Sequence, residues 1–242
     1  MSSTERQALD LGCVVVRYAP SEPPSPARAQ QDLALLSSEE RERYRRQTDA
    51  RRAEFCSAHA LLRRTLSLYA DLEPPDWRFA SDPMGKPAIV NPPADAPLTF
   101  NLSHTRGLVA CVVSRETALG VDVESSQRPR PYSLLADRVL APGEREAWKN
   151  LPASEQAGRF LDYWTLKEAH LKAQGTGIRS RLDALEFSLE GADGAGCRVA
   201  AGRESADGGC HYLRLRPTPI HFLAVACAGN RAPGWDVGGV DL

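Results

Sequence analysis

Apolar residues are spaced along this chain in two ways, one typical of strands and the other typical of helices. Alternating or continuous apolar runs predict strands at residues 11–18, 77–80, 98–102, 108–113, 119–124, 184–189, 199–201, 212–215 and 221–228. Helical spacing and capping residues predict helices beginning near residues 37 and 140, and helices spanning 48–69, 132–139 and 158–173. Because strands and helices are interspersed, the pattern predicts an α+β (α/β) fold.

Three of these features occur twice, in the same order, in the two halves of the chain. The matching pairs are segment 36–42 with 140–146, helix 48–69 with 158–173, and strand 108–113 with 222–227. The repetition predicts a pseudo-twofold duplication of an α/β unit, with the active site in the cleft between the halves. We expect halves at residues 1–118 and 119–228, followed by a flexible, glycine-rich tail at 229–242.

Composition and charge exclude several classes of protein. The 242 residues are 42% hydrophobic and 25% charged, as in soluble globular proteins. With 30 basic and 31 acidic residues, the chain has no general basic character, so we expect no nucleic-acid partner. No apolar run is long enough to cross a membrane, and the polar N-terminus does not resemble a signal peptide. The six scattered cysteines lack zinc-site spacing, so we expect a cytoplasmic protein with reduced thiols.

The first candidate chemistry lies in the predicted strand Gly-Val-Asp122-Val-Glu124. Alternate side chains of a strand point to opposite faces, so Val121 and Val123 should enter the core while Asp122 and Glu124 share the other face. Two nearby carboxylates repel each other unless positive charge separates them, and a hard cation such as magnesium suits them. The alternative interpretation is an edge strand with a solvated acidic face.

The second candidate lies in the predicted helix 158–173. Trp164, Glu168 and Lys172 are four residues apart and therefore form one line along the helix. A carboxylate and an ammonium on one face can supply a base or metal ligand and a phosphate contact. The alternative is an exposed Glu–Lys pair without chemistry. We expect His170 not to be catalytic.

Three further segments carry polar or basic groups suited to phosphate. These are the strand end at Ser103 and His104, the turn Gly-Lys86-Pro, and the arginine-rich stretch 41–64. A nucleophilic Ser–His pair is disfavoured because adjacent side chains on a strand diverge. Lys86 in an ordinary surface turn and solvated arginines are the competing interpretations.

Taken together, four motifs strongly resemble the Sfp-type 4′-phosphopantetheinyl transferases across residues 30–228. They are Gly-Lys86-Pro, Phe-Asn-Leu-Ser103-His104, Gly-Val-Asp122-Val-Glu124 and Trp-Thr-Leu-Lys167-Glu168-Ala-His-Leu-Lys172-Ala-Gln-Gly-Thr-Gly. The resemblance implies two α/β halves that bind coenzyme A between them. It also implies a magnesium-dependent enzyme of the holo-[acyl-carrier-protein] synthase type, which transfers the 4′-phosphopantetheine arm to a serine of acyl or peptidyl carrier proteins and releases 3′,5′-ADP.

The resemblance also assigns roles to individual residues. It implies magnesium ligands at Asp122, Glu124 and Glu168, and catalytic roles for Glu168, Lys172 and Asp122. Coenzyme A contacts are expected at Arg43, Arg52, Lys86, Ser103, His104, Asp122, Lys167 and Lys172. Two positions depart from the relatives: His59 stands where several carry Arg, and Glu40 where some carry Lys.

Two alternatives to the transferase remain at this point. One is a different magnesium-dependent enzyme of diphosphate or nucleotide substrates, such as a hydrolase or another transferase. The other is a binding module that keeps the cleft without catalysis. The expected partners are coenzyme A and carrier proteins, without nucleic acid or membrane, and an internal duplication makes a monomer sufficient.

Overall fold

The structure is a computed structural model that describes residues 9, 12–22, 25–81, 85–93, 97–115, 118–175, 181–189, 197–199 and 209–240. In chain order, its helices and strands are β1 (Cys13–Pro20), α1 (Pro26–Leu35), α2 (Ser38–Arg46), α3 (Asp49–Ser67), β2 (Phe79–Ser81), β3 (Pro87–Ile89), β4 (Leu98–Thr105), β5 (Leu108–Arg115), β6 (Leu119–Ser125), α4 (Tyr132–Val139), α5 (Pro142–Lys149), α6 (Ala153–Gln174), β7 (Phe187–Leu189), β8 (Cys197–Val199), β9 (Cys210–Thr218), β10 (His221–Ala228) and β11 (Gly234–Gly239). The predicted mixed α and β class is confirmed.

The chain divides into two compact units. Unit 1 consists of Met1–Thr117 together with Pro233–Leu242, and unit 2 is Ala118–Ala232. The boundary therefore falls one residue before the division predicted from the sequence. Helix α1 was not predicted, because its N-cap Ser25 and Pro26 follow a Pro/Ser-rich stretch that reads as a loop. None of the described helices has the length and apolar character needed to cross a membrane.

Unit 1 is organised around its central strand β5. This strand is antiparallel to both β1 and β4, and its apolar run is fully buried, as the sequence predicts for a strand covered on both faces. Helix α3 packs against β5 and β4 through a core that includes Leu62, Leu66, Trp77 and Phe100.

The prediction of a flexible tail at 229–242 is wrong for residues 234–239, which form strand β11. This strand pairs in parallel with β1 from Cys13 to Tyr18. The Arg17 guanidinium lies 2.7 Å from the Asp236 carboxylate, and Val240 packs against the core of unit 1. Pairing with the edge of β1 satisfies backbone groups whatever the side chains are, so a glycine-rich segment without apolar alternation can still form a strand.

Unit 2 repeats the strand arrangement of unit 1. Its sheet has the order β6-β10-β9, with β10 in the centre and antiparallel to both neighbours, and α6 packs against β6 and β10. In unit 1 the corresponding order is β1-β5-β4. Among these three strands of each unit, the one that comes last in the chain (β5 or β10) lies in the middle, between the first (β1 or β6) and the second (β4 or β9). In unit 1, β11 is added beyond β1. The shared topology supports the duplication inferred from the sequence repeat.

Candidate active site

Strand β6 presents its two carboxylates to helix α6. Gly120, Asp122 and Glu124 are every second residue of β6 and therefore lie on the same face of the strand. A Cβ atom built on Gly120 would lie 1.9 Å from the Ala169 carbonyl oxygen, so the backbone of α6 passes directly over this face. Asp122 is only 7% exposed, which makes the alternative interpretation of a solvated acidic face wrong. A side chain at position 120 would collide with the backbone of α6, which explains why the Gly-Val-Asp-Val-Glu motif begins with glycine.

Lys172 joins α6 to this strand. Its Nζ donates to Asp122 Oδ1 at 2.7 Å and to the Val121 carbonyl oxygen at 2.9 Å. The alternative of an exposed helical Glu–Lys pair is therefore wrong, since Lys172 pairs with a carboxylate on another element. Trp164, Glu168 and Lys172 follow one another at helical spacing, which places Glu168 between an aromatic ring and an ammonium group.

Arg130 is a member of this site that was not predicted from the sequence. Its Nη2 lies 2.5 Å from Glu124 Oε2, and its guanidinium lies 5.2 Å from the centre of the Trp164 ring. The side chain is 9% exposed. The available signal was an arginine held between Pro129 and Pro131, six residues after Glu124, where two prolines restrict the backbone.

The three candidate metal ligands affect one another electrostatically. Burial raises the pKa of Glu168, and the negative charges of Asp122 and Glu124 raise it further, while Lys172 lowers it. Magnesium prefers carboxylate oxygens as ligands, so the side chains of Asp122, Glu124 and Glu168 are of the right chemical type to bind this ion. As the side chains stand, no three His, Cys, Asp or Glu residues of the described chain lie close enough together to hold a metal ion. Asp122 and Glu124 are instead directed at Lys172 and Arg130.

The predicted contact between Lys167 and coenzyme A is not supported by the position of this residue. Lys167 is fully buried, and its Nζ lies 2.5 Å from Glu144 Oε2. It also donates to the carbonyl oxygens of Val139, Leu182 and Leu185 at 2.7, 3.0 and 2.7 Å. Burial raises the pKa of Glu144 and lowers the pKa of Lys167, and their ion pair opposes both changes. An ammonium with four acceptors and no exposed surface has a structural role, linking α6 to the end of α4 and to the segment after residue 181.

Unit 1 contains the counterpart of this buried pair. Glu40 accepts from Arg63 Nη2 at 2.6 Å, and Arg63 is fully buried. These partners are 23 residues apart, the same separation as Glu144 and Lys167 (167 less 144). Both glutamates also cap their own helices, accepting from the backbone N–H three residues before. The departure from the relatives at Glu40 is thus a buried structural carboxylate.

His59 belongs to the same cluster. Its Nδ1 lies 2.8 Å from Glu40 Oε1. Although burial opposes the charge on Glu40, hydrogen bonds and charges from His59, Ser37 and Arg63 lower the pKa of this carboxyl to about 2. Glu40 is therefore held as an anion, and His59 is held by it.

Replacing Lys167 with Met should destabilise unit 2 strongly. Removal of one partner leaves Glu144 buried without its cation, which typically costs about 3–5 kcal/mol. Thermal unfolding followed by circular dichroism should show a large fall in Tm for Lys167→Met. The double variant Glu144→Gln/Lys167→Met, which removes both charges, should recover part of that loss; an equal or larger fall in the double variant would contradict the pairing.

Within unit 1, the candidate phosphate-binding residues are divided between different places. Arg43 lines a cavity of about 160 Å³ together with His59, Phe79, Phe100 and Leu102. Arg52 lines a different cavity, of about 280 Å³, and its Nη1 donates to Asp49 at 2.9 Å. The two arginines, both expected to contact coenzyme A, therefore line different cavities.

Ser103 and His104 lie inside β4, which continues to Thr105, and not beyond the end of the strand. As adjacent strand residues they point to opposite faces, which agrees with the argument against a nucleophilic pair. Ser103 is buried, and His104 is exposed with its Nδ1 3.3 Å from Glu54 Oε2. Lys86 is half-buried and follows Gly85, whose φ of +87° marks the predicted turn.

His170, which was expected not to be catalytic, has a hydrogen-bond partner on another element. Its Nδ1 lies 2.7 Å from the hydroxyl of Tyr212, and burial lowers the pKa of His170. The glycine at position 177, which ends the motif in sequence, lies outside the described residues, whereas Gly175 ends α6 with a left-handed φ of +68°.

Comparisons with known proteins agree with these motifs. Residues 118–217 match the family model of the 4′-phosphopantetheinyl transferase superfamily. The 4′-phosphopantetheinyl transferase HetI of Nostoc sp. is 35% identical over 207 residues, covering 85% of this chain and 83% of that protein. The 4′-phosphopantetheinyl transferase Sfp of Bacillus subtilis is 29% identical over 200 residues, covering 81% and 84%. A holo-[acyl-carrier-protein] synthase structure from Thermotoga maritima aligns with a TM-score of 0.38 and 22% identity, over 48% of this chain and 65% of that one. The chain is a member of the 4′-phosphopantetheinyl transferase superfamily.

Proposed function

We propose that this protein transfers the 4′-phosphopantetheine arm of coenzyme A to a serine of an acyl or peptidyl carrier protein. The observation that carries the proposal is the group of Asp122, Glu124, Glu168 and Lys172, which β6 and α6 bring together in a chain that belongs to the transferase superfamily. Such a group suits a reaction at a diphosphate, where charge must be neutralised and a proton removed.

Asp122, Glu124 and Glu168 are the residues that would hold magnesium. Magnesium, when bound, supplies positive charge that neutralises the diphosphate of coenzyme A. Lys172 already pairs with Asp122, so its ammonium stands next to the carboxylates and can contact a phosphate oxygen of the same substrate. Its compact charge suits such a contact.

In the proposed step, the serine oxygen forms a bond to the β-phosphorus of coenzyme A while the bond from that phosphorus to the bridging oxygen breaks. Glu168 accepts the hydroxyl proton, directly or through a water molecule. Lys172 stabilises the negative charge on the departing 3′,5′-ADP. The product carrier holds the phosphopantetheine as a phosphodiester.

Unit 1 carries further residues that we propose as coenzyme A contacts. Arg43 and His59 stand beside Phe79 and Phe100 in one cavity, which Glu39 and Glu40 also line. We propose that Arg43 contacts a phosphate there and that the aromatic rings contact the nucleoside. Lys86, Ser103 and His104 are retained as proposed phosphate contacts. Arg52 is a weaker candidate because it lines a different cavity from Arg43.

The same proposal includes the oligomeric state, the cellular compartment and the partners of the protein. A single chain with two similar units is sufficient as a monomer. Five cysteines are free thiols, which supports action in the cytoplasm: Cys13, Cys56, Cys111, Cys210 and Cys227. The proposed partners do not include nucleic acid or membrane.

Intact-mass spectrometry of carrier proteins tests the function. Incubation of the purified protein with magnesium, coenzyme A and a panel of apo carrier proteins should add the mass of the phosphopantetheine arm to at least one carrier. A carrier whose serine is replaced by alanine is the control and should stay unmodified. The proposal fails if every carrier in a panel of fatty-acid, polyketide and peptide-synthetase types remains apo. Release of 3′,5′-ADP without any carrier would instead favour a hydrolase.

A further inference from the structure

Two cations are built into the carboxylate group of unit 2. Lys172 lies 2.7 Å from Asp122, and Arg130 lies 2.5 Å from Glu124. Three carboxylates and two cations leave this group with a net charge near −1 when all are ionised. An entering divalent cation therefore meets far less negative charge than the three carboxylates alone would present.

We propose that Arg130 is a positioning residue that holds Glu124 and makes the uptake of a divalent cation depend on the diphosphate of coenzyme A. The proposal deepens the proposed function and rests on it for the identity of the diphosphate.

The contacts of Arg130 fit this role. The guanidinium is held between the Glu124 carboxylate and the face of Trp164, four residues before Glu168 on α6. A guanidinium keeps its proton at any ordinary pH, so its charge is permanent. Its buried Nε has no hydrogen-bond partner among the described residues.

The charge of Arg130 acts in opposite directions on the two ligands. It repels a divalent cation and draws Glu124 toward itself, which weakens metal binding to the protein alone. It attracts a diphosphate, which brings negative charge of its own and restores the attraction for the metal. By linkage, each ligand then improves the binding of the other by the same factor. Metal and coenzyme A should consequently bind as a pair.

Isothermal titration calorimetry with magnesium alone, coenzyme A alone and both together tests this inference. Arg130→Met keeps an apolar side chain over Trp164 and removes the charge. We expect the variant to bind magnesium alone about tenfold more tightly, as the loss of one charge at close range implies. It should bind coenzyme A about tenfold more weakly in the presence of magnesium. The factor by which coenzyme A improves magnesium binding should shrink, and Arg130→Lys should restore it in part.

Arg216 provides the matched control. It pairs with Asp162 of α6 and lies 3.8 Å from the centre of the Phe222 ring, so Arg216→Met also removes an ion pair and a cation–π contact in unit 2. This variant should keep both affinities within about twofold of the wild type.

The titrations distinguish the proposed role of Arg130 from general damage to unit 2. General damage to unit 2 would weaken both ligands in Arg130→Met, and that result, or unchanged magnesium affinity, overturns the inference. Failure of the wild-type protein to modify any carrier protein would instead remove the proposed function. The effect of Arg130 on magnesium binding alone is measured without any transfer reaction.

Discussion

Glu168→Gln should lower kcat for phosphopantetheinyl transfer by about 10²–10⁴-fold, the usual contribution of a positioned general base. The amide cannot accept the serine proton and is a poorer ligand for a hard cation than a carboxylate. Burial, and then the charges of Asp122 and Glu124, raise the pKa of Glu168, so removing its charge relieves desolvation and repulsion, and the variant should be at least as stable as the wild type. Steady-state kinetics and thermal unfolding, measured on the same preparation, check the two parts.

Glu155 offers a matched control for this substitution. It is an exposed residue in the first turn of the same helix, α6. Glu155→Gln should leave kcat within about twofold of the wild type, because surface changes of this kind have small effects. Near-wild-type turnover by Glu168→Gln would remove the proposed role of Glu168 as a base.

Gly120→Ala should impair both the stability of unit 2 and transfer. The added methyl group would lie 1.9 Å from the Ala169 carbonyl oxygen and 2.6 Å from the Ala173 amide nitrogen, both of which belong to the backbone of α6. Overpacking of this kind typically costs about 1–3 kcal/mol. The helix must shift away from β6, which separates Glu168 and Lys172 from Asp122. We therefore expect a lower Tm and a fall in kcat/KM of at least about tenfold, since small displacements of catalytic groups are costly.

Gly234→Ala is the control for this second substitution. Gly234 begins β11, and no atom lies within 4 Å of a Cβ built on it. Its replacement should change neither Tm nor kcat/KM appreciably. Wild-type values for Gly120→Ala would show that α6 can move without disturbing the carboxylate group, and would contradict the close packing described above.

Local pattern alone was sufficient for most of the secondary structure. The buried strands β5 and β10, the capped start of α2 and the bounds of α4 follow from apolar spacing and capping residues, because these depend on neighbours within a few positions. The alignment of Trp164, Glu168 and Lys172 likewise follows from helical geometry. Strand β11 and helix α1 do not, since a glycine-rich edge strand and a helix after a proline-rich stretch have weak local signals.

The candidate site shows the same division. The alternation of β6 places Asp122 and Glu124 together, and the motifs indicate the family, using only sequence order and spacing. Whether Lys167 or Lys172 reaches the carboxylates could not be read from the helix, because the answer depends on what packs against each side of α6. Lys167 meets Glu144 and backbone carbonyl oxygens in the interior, whereas Lys172 meets Asp122.

Arg130 and Gly120 illustrate why tertiary contacts were needed. Arg130 comes from the connection after β6, and only its approach to Glu124 and Trp164 distinguishes it from the many other arginines of the chain. Gly120 looks like an ordinary strand residue until α6 is packed over it. The sequence specifies the elements and the chemical groups they carry, because both are local properties. The pairing of charges across elements is a consequence of packing, because each buried charge must find its partner on whichever element lies against it.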